Sequence, residues 1–289
     1  MLADRLDELG VAYCHVNQRR FLQAPIEVFV SDGSVSGRVG SVALADARAV
    51  YMRLANEQML PEVEAEPPDS PVRRAAADWC RALVAWSEVT SARVVTRHSA
   101  QSSNASKPFQ AQIISQVGFS VPPTLITNEP ELAREFWLTH GTVVYKSISS
   151  CRSIVSRLTE DDIGRLERIR WCPVQFQAWI PGTDVRVHVV GEEVFATLIE
   201  SDATDYRYAA RQGSEPARLS EYTLDALTKQ RCLNLSERLS LSFVGIDLRI
   251  TSSGEAYCFE ANPSPGYPYY ETSTGQPISL ALARYLSSA

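Results

Sequence analysis

The chain has 289 residues, a formal net charge of −6, 21% charged and 45% hydrophobic residues. That is an ordinary globular balance, with length for one large or two to three small domains. The acidic balance argues against a nucleic-acid partner, whose phosphate backbone needs a basic surface, and leaves any anionic nucleotide to a few local cations.

Six scattered cysteines without a C-x-x-C pair argue against a zinc site or a disulfide framework. No apolar segment is long enough to span a bilayer and no signal-peptide core is visible, which predicts a cytoplasmic protein with no membrane partner.

Residues 2–9 read as a helix and Val11–Val16 as a strand. Ile26–Val30 and Arg38–Leu44 read as strands around the turn Ser31-Asp32-Gly33. The Pro- and acid-rich run Glu62–Pro71 predicts an exposed loop. Ala75–Trp86 predicts a helix with Trp79, Leu83 and Trp86 on one face, and Arg93–Thr96 a short strand. Lys107–Val117 has the spacing of a helix with Phe109, Ile113, Ile114 and Val117 inward, closed by Gly118. An extended run, Val121–Ile126, follows. Next come a helix over Glu129–Leu138, a strand over Thr142–Ser147, and a helix over 159–168 with Thr159 as N-cap. Val174–Ile180, Asp184–Val190 and Glu193–Ile199 read as strands, the last two joined tightly at Gly191. Thr223–Leu239 predicts a helix with Leu224, Leu227, Leu235 and Leu239 on one face.

The run from Gly245 to Gly275 carries the most chemistry. Asp247 ends an apolar run of Phe243, Val244 and Ile246, and Glu260 and Asn262 end a second one. Alternation sends Glu260 and Asn262 to one face, and a hairpin about Ser252-Ser253-Gly254 lets Asp247 join them. Pro263-Ser264-Pro265-Gly266 then forces an abrupt turn, leaving three hard oxygen donors at a strand end, suited to a magnesium-bound nucleotide. Taken singly, an acid near a strand end is more often a solvated or capping residue than a metal ligand; the abrupt turn that follows the pair is what points to a site. Lys146 lies in an apolar strand, as a phosphate ligand or an edge-strand gatekeeper. Arg186 alternates with valines and shares a face with Asp184 and His188, so a structural ion pair with Asp184 is one expectation. His188 reads as packing.

The stretch DLRITSSGEAYCFEANPSPGYPYYETSTG resembles the C-terminal signature of ATP-grasp carboxylate–amine ligases. It is closest to the ribosomal-protein glutamate ligase branch and to microviridin-type (graspetide) peptide maturases, and the likeness covers roughly residues 104 to 285. The fold this implies is α/β (α+β): an ATP-grasp fold behind a small N-terminal α/β pre-ATP-grasp domain. The divisions expected are 1–100 for that domain, 101–181 for a central subdomain with a phosphate flap, and 182–289 for a C-terminal subdomain with the metal site. Such N-terminal domains usually open on a strand, whereas this chain opens on a helix; either that strand is absent or the true start lies upstream.

The resemblance assigns Asp247, Glu260 and Asn262 to two Mg²⁺ ions, with Mn²⁺ an alternative. It assigns Lys107 and Lys146 to the ATP phosphates, Gln177, Ala178, Trp179 and Ile180 to the adenine, and Asp184 to the ribose. Arg186 and Arg207, with Arg211 as a companion, fall to the acyl phosphate and the transferred phosphoryl group. The flap Ser147-Ile148-Ser149-Ser150-Cys151-Arg152-Ser153 lacks the glycines common in the family, so Ser149 and Arg152 are the expected phosphate contacts. The activity implied is ADP-forming activation of a carboxylate for attack by an amine or hydroxyl. Pro122-Pro123-Thr124-Leu125-Ile126-Thr127-Asn128 looks like the maturase branch, which favours a peptide or protein substrate. A small-molecule amino-acid ligase and a non-catalytic ATP-binding regulator are the alternatives. Dimers are common in the family, which admits a homodimer here.

Overall fold

In the computed structural model, which describes residues 1–148, 154–203, 206 and 215–289, two antiparallel sheets carry most of the chain beyond residue 123. The chain opens on helix α1 (Leu2–Glu8), as expected. The predicted strand over Val11–Val16 is absent: these residues run irregularly and mostly exposed, so the alternation has no buried face to hold it. Strands β1 (Ile26–Ser31) and β2 (Ser34–Val39) form a hairpin. Its turn, Asp32-Gly33, has positive φ at both residues (50° and 75°), the pairing that matches strand twist. That two-residue turn starts β2 at Ser34 rather than at Arg38, and Gly40 separates it from β3 (Val42–Ala43). Strand β4 (Ala49–Tyr51), not foreseen, is followed by helix α2 (Pro61–Glu64). The predicted loop over Glu62–Pro71 is therefore helical at its start, because Val63 is fully buried beneath it. Ser70 caps helix α3 (Pro71–Val89), longer than its apolar stripe suggested, with Trp79, Leu83 and Trp86 in a core under β1–β3. Strand β5 (Arg93–Val95) pairs in parallel with β4, and the short α4 (His98–Gln101) follows.

Helix α5 (Lys107–Gln116), capped by Ser106, buries Ile114, but Phe109 is 50% exposed, against expectation. The inward stripe runs through Gln110, which an apolar pattern cannot register. Strands β6 (Thr124–Thr127), β7 (Val143–Ser147), β8 (Ser156–Arg157) and β9 (Val174–Ala178) form the four-stranded sheet in the order β6-β9-β7-β8. Helix α6 (Pro130–His140) packs on it. Thr159 and Asp162 form the capping box of α7 (Glu160–Ile163), which lasts one turn to Gly164; residues Leu166–Trp171 continue as a 3₁₀ helix, so the longer predicted helix is divided.

Strands β10 (Thr183–Val190) and β11 (Glu193–Glu200) meet at Gly191 (φ 58°), as expected. Strand β12 (Arg218–Tyr222) precedes α8 (Ala226–Arg238), which starts three residues late because Asp225 is its cap. Leu235 and Leu239 are buried while Leu227 is 59% exposed, a second departure from the predicted face. Strands β13 (Phe243–Ile250) and β14 (Ala256–Asn262) complete a five-stranded sheet ordered β12-β11-β10-β13-β14. Helices α9 (Pro268–Thr274) and α10 (Ile278–Ser287) close the chain and cover one end of it. One face of the sheet is apolar: Val185, Val187, Ile246, Leu248 and Cys258 pack against Ile114 of α5 and Cys232 and Leu235 of α8. The other face holds the site.

Candidate functional site

Residues directly opposed on antiparallel strands point to the same face. Register therefore lines up Glu221, Thr197, Arg186, Asp247 and Glu260 in one row across all five strands. A bulge between Asp247 and Leu248 leaves Phe259 unpaired and re-aims Glu260 opposite Asp247. Asn262 lies two residues on, opposite Gly245, with its Oδ1 accepting from the Ser264 N–H at 2.9 Å. The hairpin expected from sequence thus places all three oxygen donors on one face of the sheet.

Arg186, 5% exposed, donates to Asp247 Oδ1 at 2.6 Å and lies over the Tyr270 ring at 5.7 Å. Burial opposes its charge, but the Asp247 carboxylate outweighs it and raises the pKa above the ordinary arginine value. The expected ion pair with Asp184 is not formed. Asp184 stands two residues away along β10, opposite Arg249, and accepts two hydrogen bonds from it at 2.7 and 2.9 Å. Gly245 makes room for Arg186: a Cβ there would lie 2.0 Å from its Nη2 and 2.7 Å from Pro265 Cβ.

Lys107, at the first turn of α5, meets Glu260 Oε2 at 3.0 Å and Asn104 Oδ1 at 2.9 Å. Lys146, on β7, acts on the same carboxylate electrostatically from the other sheet. Burial alone would raise the Glu260 pKa; Lys107 and Lys146 overcome it and hold the carboxyl below its usual range. Both lysines thus act on one carboxylate, that of Glu260.

Of the four residues expected to face adenine, Gln177 Nε2 donates to Thr124 Oγ1. The N–H groups of Ala178 and Trp179 are committed to the Pro123 and Thr142 carbonyls. Ile180 accepts at its carbonyl from Arg249 Nη1 at 3.0 Å, and the Arg249 guanidinium lies over the Trp179 ring at 4.2 Å. His188 is fully buried between Phe243 and Tyr270, with Nε2 3.2 Å from the Gly266 carbonyl. Burial, then the Arg186 charge, lowers its pKa well below the ordinary value. Ser149, Arg152, Arg207 and Arg211 lie outside the described residues.

Sequence reasoning missed three contributors. Arg249 shares a face with Asp247 two residues away, a charge in an apolar strand that was a readable signal. Gln110 and Arg53 left none; Arg53 donates to Ser264 Oγ and the Pro265 carbonyl at 3.0 and 2.9 Å, tying the N-terminal region to the turn after Asn262. Among the described residues no three His, Cys, Asp or Glu side chains cluster around one point. Two carboxylates and an amide, all oxygen donors, fit Mg²⁺ provided that water and phosphate fill its other positions.

The RimK-like ATP-grasp domain model matches residues 106–286. A probable alpha-L-glutamate ligase of Histophilus somni (strain 2336) is 28% identical over 146 residues, 49% of this chain and 44% of that protein. The chain thus spans about half the length of the curated relatives it matches. The Chryseobacterium gregarium RiPP-associated ATP-grasp ligase, solved with ADP and a leader and core peptide, superimposes with TM-score 0.84 at 23% identity, over 99% of this chain and 92% of that one. The ATP-grasp ligase PsnB, solved with minimal precursor, Mg and ADP, gives 0.81 at 25% identity with the same coverage. The chain belongs to the RimK-like ATP-grasp family, with the mixed α/β ATP-grasp fold expected of it.

Proposed function

We propose that this family member is an ADP-forming ligase that activates a carboxylate with ATP and passes the acyl group to an amine or hydroxyl of a peptide or protein. The observation that carries the reading is the row Arg186–Asp247–Glu260, flanked by Asn262, with Lys107 and Lys146 converging on Glu260. Asp247, Glu260 and Asn262 would hold Mg²⁺, two ions in the full site with Mn²⁺ as a substitute, and the metal would neutralise charge on the phosphate oxygens. Lys107 and Lys146 supply further positive charge for those oxygens. Trp179 and Ile180, fixed by Arg249, form the base-binding edge.

A carboxylate oxygen of the substrate attacks the γ-phosphorus and ADP leaves. An amine or hydroxyl then attacks the acyl carbon, inorganic phosphate leaves, and the attacking group gives up its proton. Arg186 keeps a buried Nε–H with no partner among the described residues, a donor suited to charge developing on the acyl oxygen. Ser149, Arg152 and Arg207 are assigned to the phosphates and the transferred group by resemblance alone.

A peptide substrate is supported by the precursor peptides bound to the C. gregarium ligase and PsnB. The glutamate-ligase relative favours the second reading, in which a free amino acid is a substrate. The division into 1–100, 101–181 and 182–289 draws support from the apolar clusters under β1–β3 and around the four-stranded sheet. Helix α5, by contrast, packs in the core of the five-stranded sheet, and Tyr51 and Val95 share a cluster with Val190 and Phe243, both across the expected boundaries.

The test is ADP release from Mg-ATP with host-cell extract split by ultrafiltration. Release that depends on the peptide-sized fraction supports peptide modification. Release that depends on the small-molecule fraction transfers support to the amino-acid reading. Tight ATP binding without release from either fraction contradicts the ligase reading.

A further inference from the structure

We propose that Gln110 is a positioning residue for the oxygen donors Glu260 and Asn262, an inference that rests on their reading as metal ligands. Strand β14 is the outermost strand of the five-stranded sheet, so one edge of its backbone has no neighbouring strand. An edge of that kind presents unpaired N–H and C=O groups and holds its residues loosely. Ala261, the residue between the two donors, nevertheless has both its N–H and its C=O satisfied on that edge. Gln110 Nε2 donates to its carbonyl at 2.9 Å, and Gln110 Oε1 accepts from its N–H at 3.0 Å. One side-chain amide thus does what a neighbouring strand residue would do, at the one backbone position flanked by both donors.

The helix that carries Gln110 grips the same strand a turn earlier, where Lys107 meets Glu260 Oε2. Further back along the same outer edge, the Ser120 carbonyl accepts from the Cys258 N–H at 2.9 Å. Gln110 is 1% exposed, so water cannot replace a lost bond there. Its amide sets where the backbone of Glu260 and Asn262 lies, and hence the spacing of their oxygens from Asp247 across the hairpin.

Gln110→Met keeps the length of the side chain and loses both bonds; Gln110→Glu keeps the acceptor and loses the donor. Three quantities separate positioning from simple stability: the melting temperature without metal, ADP binding in EDTA, and Mn²⁺ affinity of the ADP complex by electron paramagnetic resonance. Gln110→Met should melt lower, bind ADP in EDTA within roughly two-fold of wild type, and bind Mn²⁺ at least about ten-fold more weakly, the usual effect of losing a residue that orients a metal ligand. Gln110→Glu, which buries an acceptor-only carboxylate against the Ala261 carbonyl, should melt no higher than Gln110→Met and weaken Mn²⁺ binding at least as much. A lowered melting temperature with unchanged Mn²⁺ affinity in either variant would overturn the proposal. Absence of ADP-dependent Mn²⁺ binding in the wild-type protein would instead overturn the metal reading beneath it, before any substitution is made.

Discussion

Replacing Asp247 by Ala tests more than metal binding, because it strips a carboxylate from the nearly buried Arg186. From sequence alone, Asp247→Ala is expected to silence the site and leave the fold intact; the structure predicts otherwise. Arg186 is 5% exposed and its Nη1 lies 2.6 Å from Asp247 Oδ1. Removing one member of a buried ion pair costs about 3–5 kcal/mol, mostly the penalty of the charge left behind. The reverse change, Arg186→Met, leaves Asp247, whose side chain is 28% exposed and partly hydrated. Methionine also keeps the packing on Tyr270, so this change should cost about 1 kcal/mol. Asp247→Asn keeps an oxygen for Arg186 and should fall between them. At about 2–4 °C per kcal/mol for chains somewhat shorter than this one, Asp247→Ala should lower the melting temperature by roughly 6–20 °C. Calorimetry together with urea unfolding followed by tryptophan fluorescence measures all three. An Arg186→Met variant as unstable as Asp247→Ala, or more so, would refute the assignment of the uncompensated charge to Arg186.

Gly245→Ala should displace Arg186, since the new Cβ would overlap its guanidinium and Pro265 is too close to yield; loss of ADP formation with a lowered melting temperature is the expected result, and wild-type behaviour counts against the packing. His188 stays neutral when folded because burial and Arg186 depress its pKa, whereas the unfolded chain takes up its proton near pH 6.5. Stability should therefore fall as pH drops below that value, by up to about 1.4 kcal/mol per pH unit from this residue, and His188→Phe should remove that share of the slope. Arg249→Met should raise KM for ATP more than it lowers kcat, since Arg249 holds Ile180 and Trp179 rather than the reacting atoms; an unchanged KM contradicts that placement.

The hairpin of Asp247, Glu260 and Asn262 was legible because strand alternation and an abrupt Pro-Gly turn are local properties. The pairing of its charges was not. Arg186 and Asp184 share a face and look like partners along one strand, but cross-strand register sends Arg186 to Asp247 and Asp184 to Arg249. Phe109 and Leu227 turn outward because polar residues, Gln110 and Thr228, hold the inward positions, and an apolar pattern has no term for a buried amide or hydroxyl. Gln110 and Arg53 act across 151 and 211 residues of chain, distances over which no spacing rule operates.

The most direct test of the central claim compares ADP formation by wild type and Glu260→Gln with Mg-ATP and the same extract fraction. Glutamine keeps the shape and removes the charge that faces Asp247 and both lysines. The account predicts that the variant melts as a folded protein and that ADP formation falls at least about 100-fold, the upper range for loss of a group that orders a metal site. Turnover at the wild-type rate would contradict the metal assignment and the mechanism built on it.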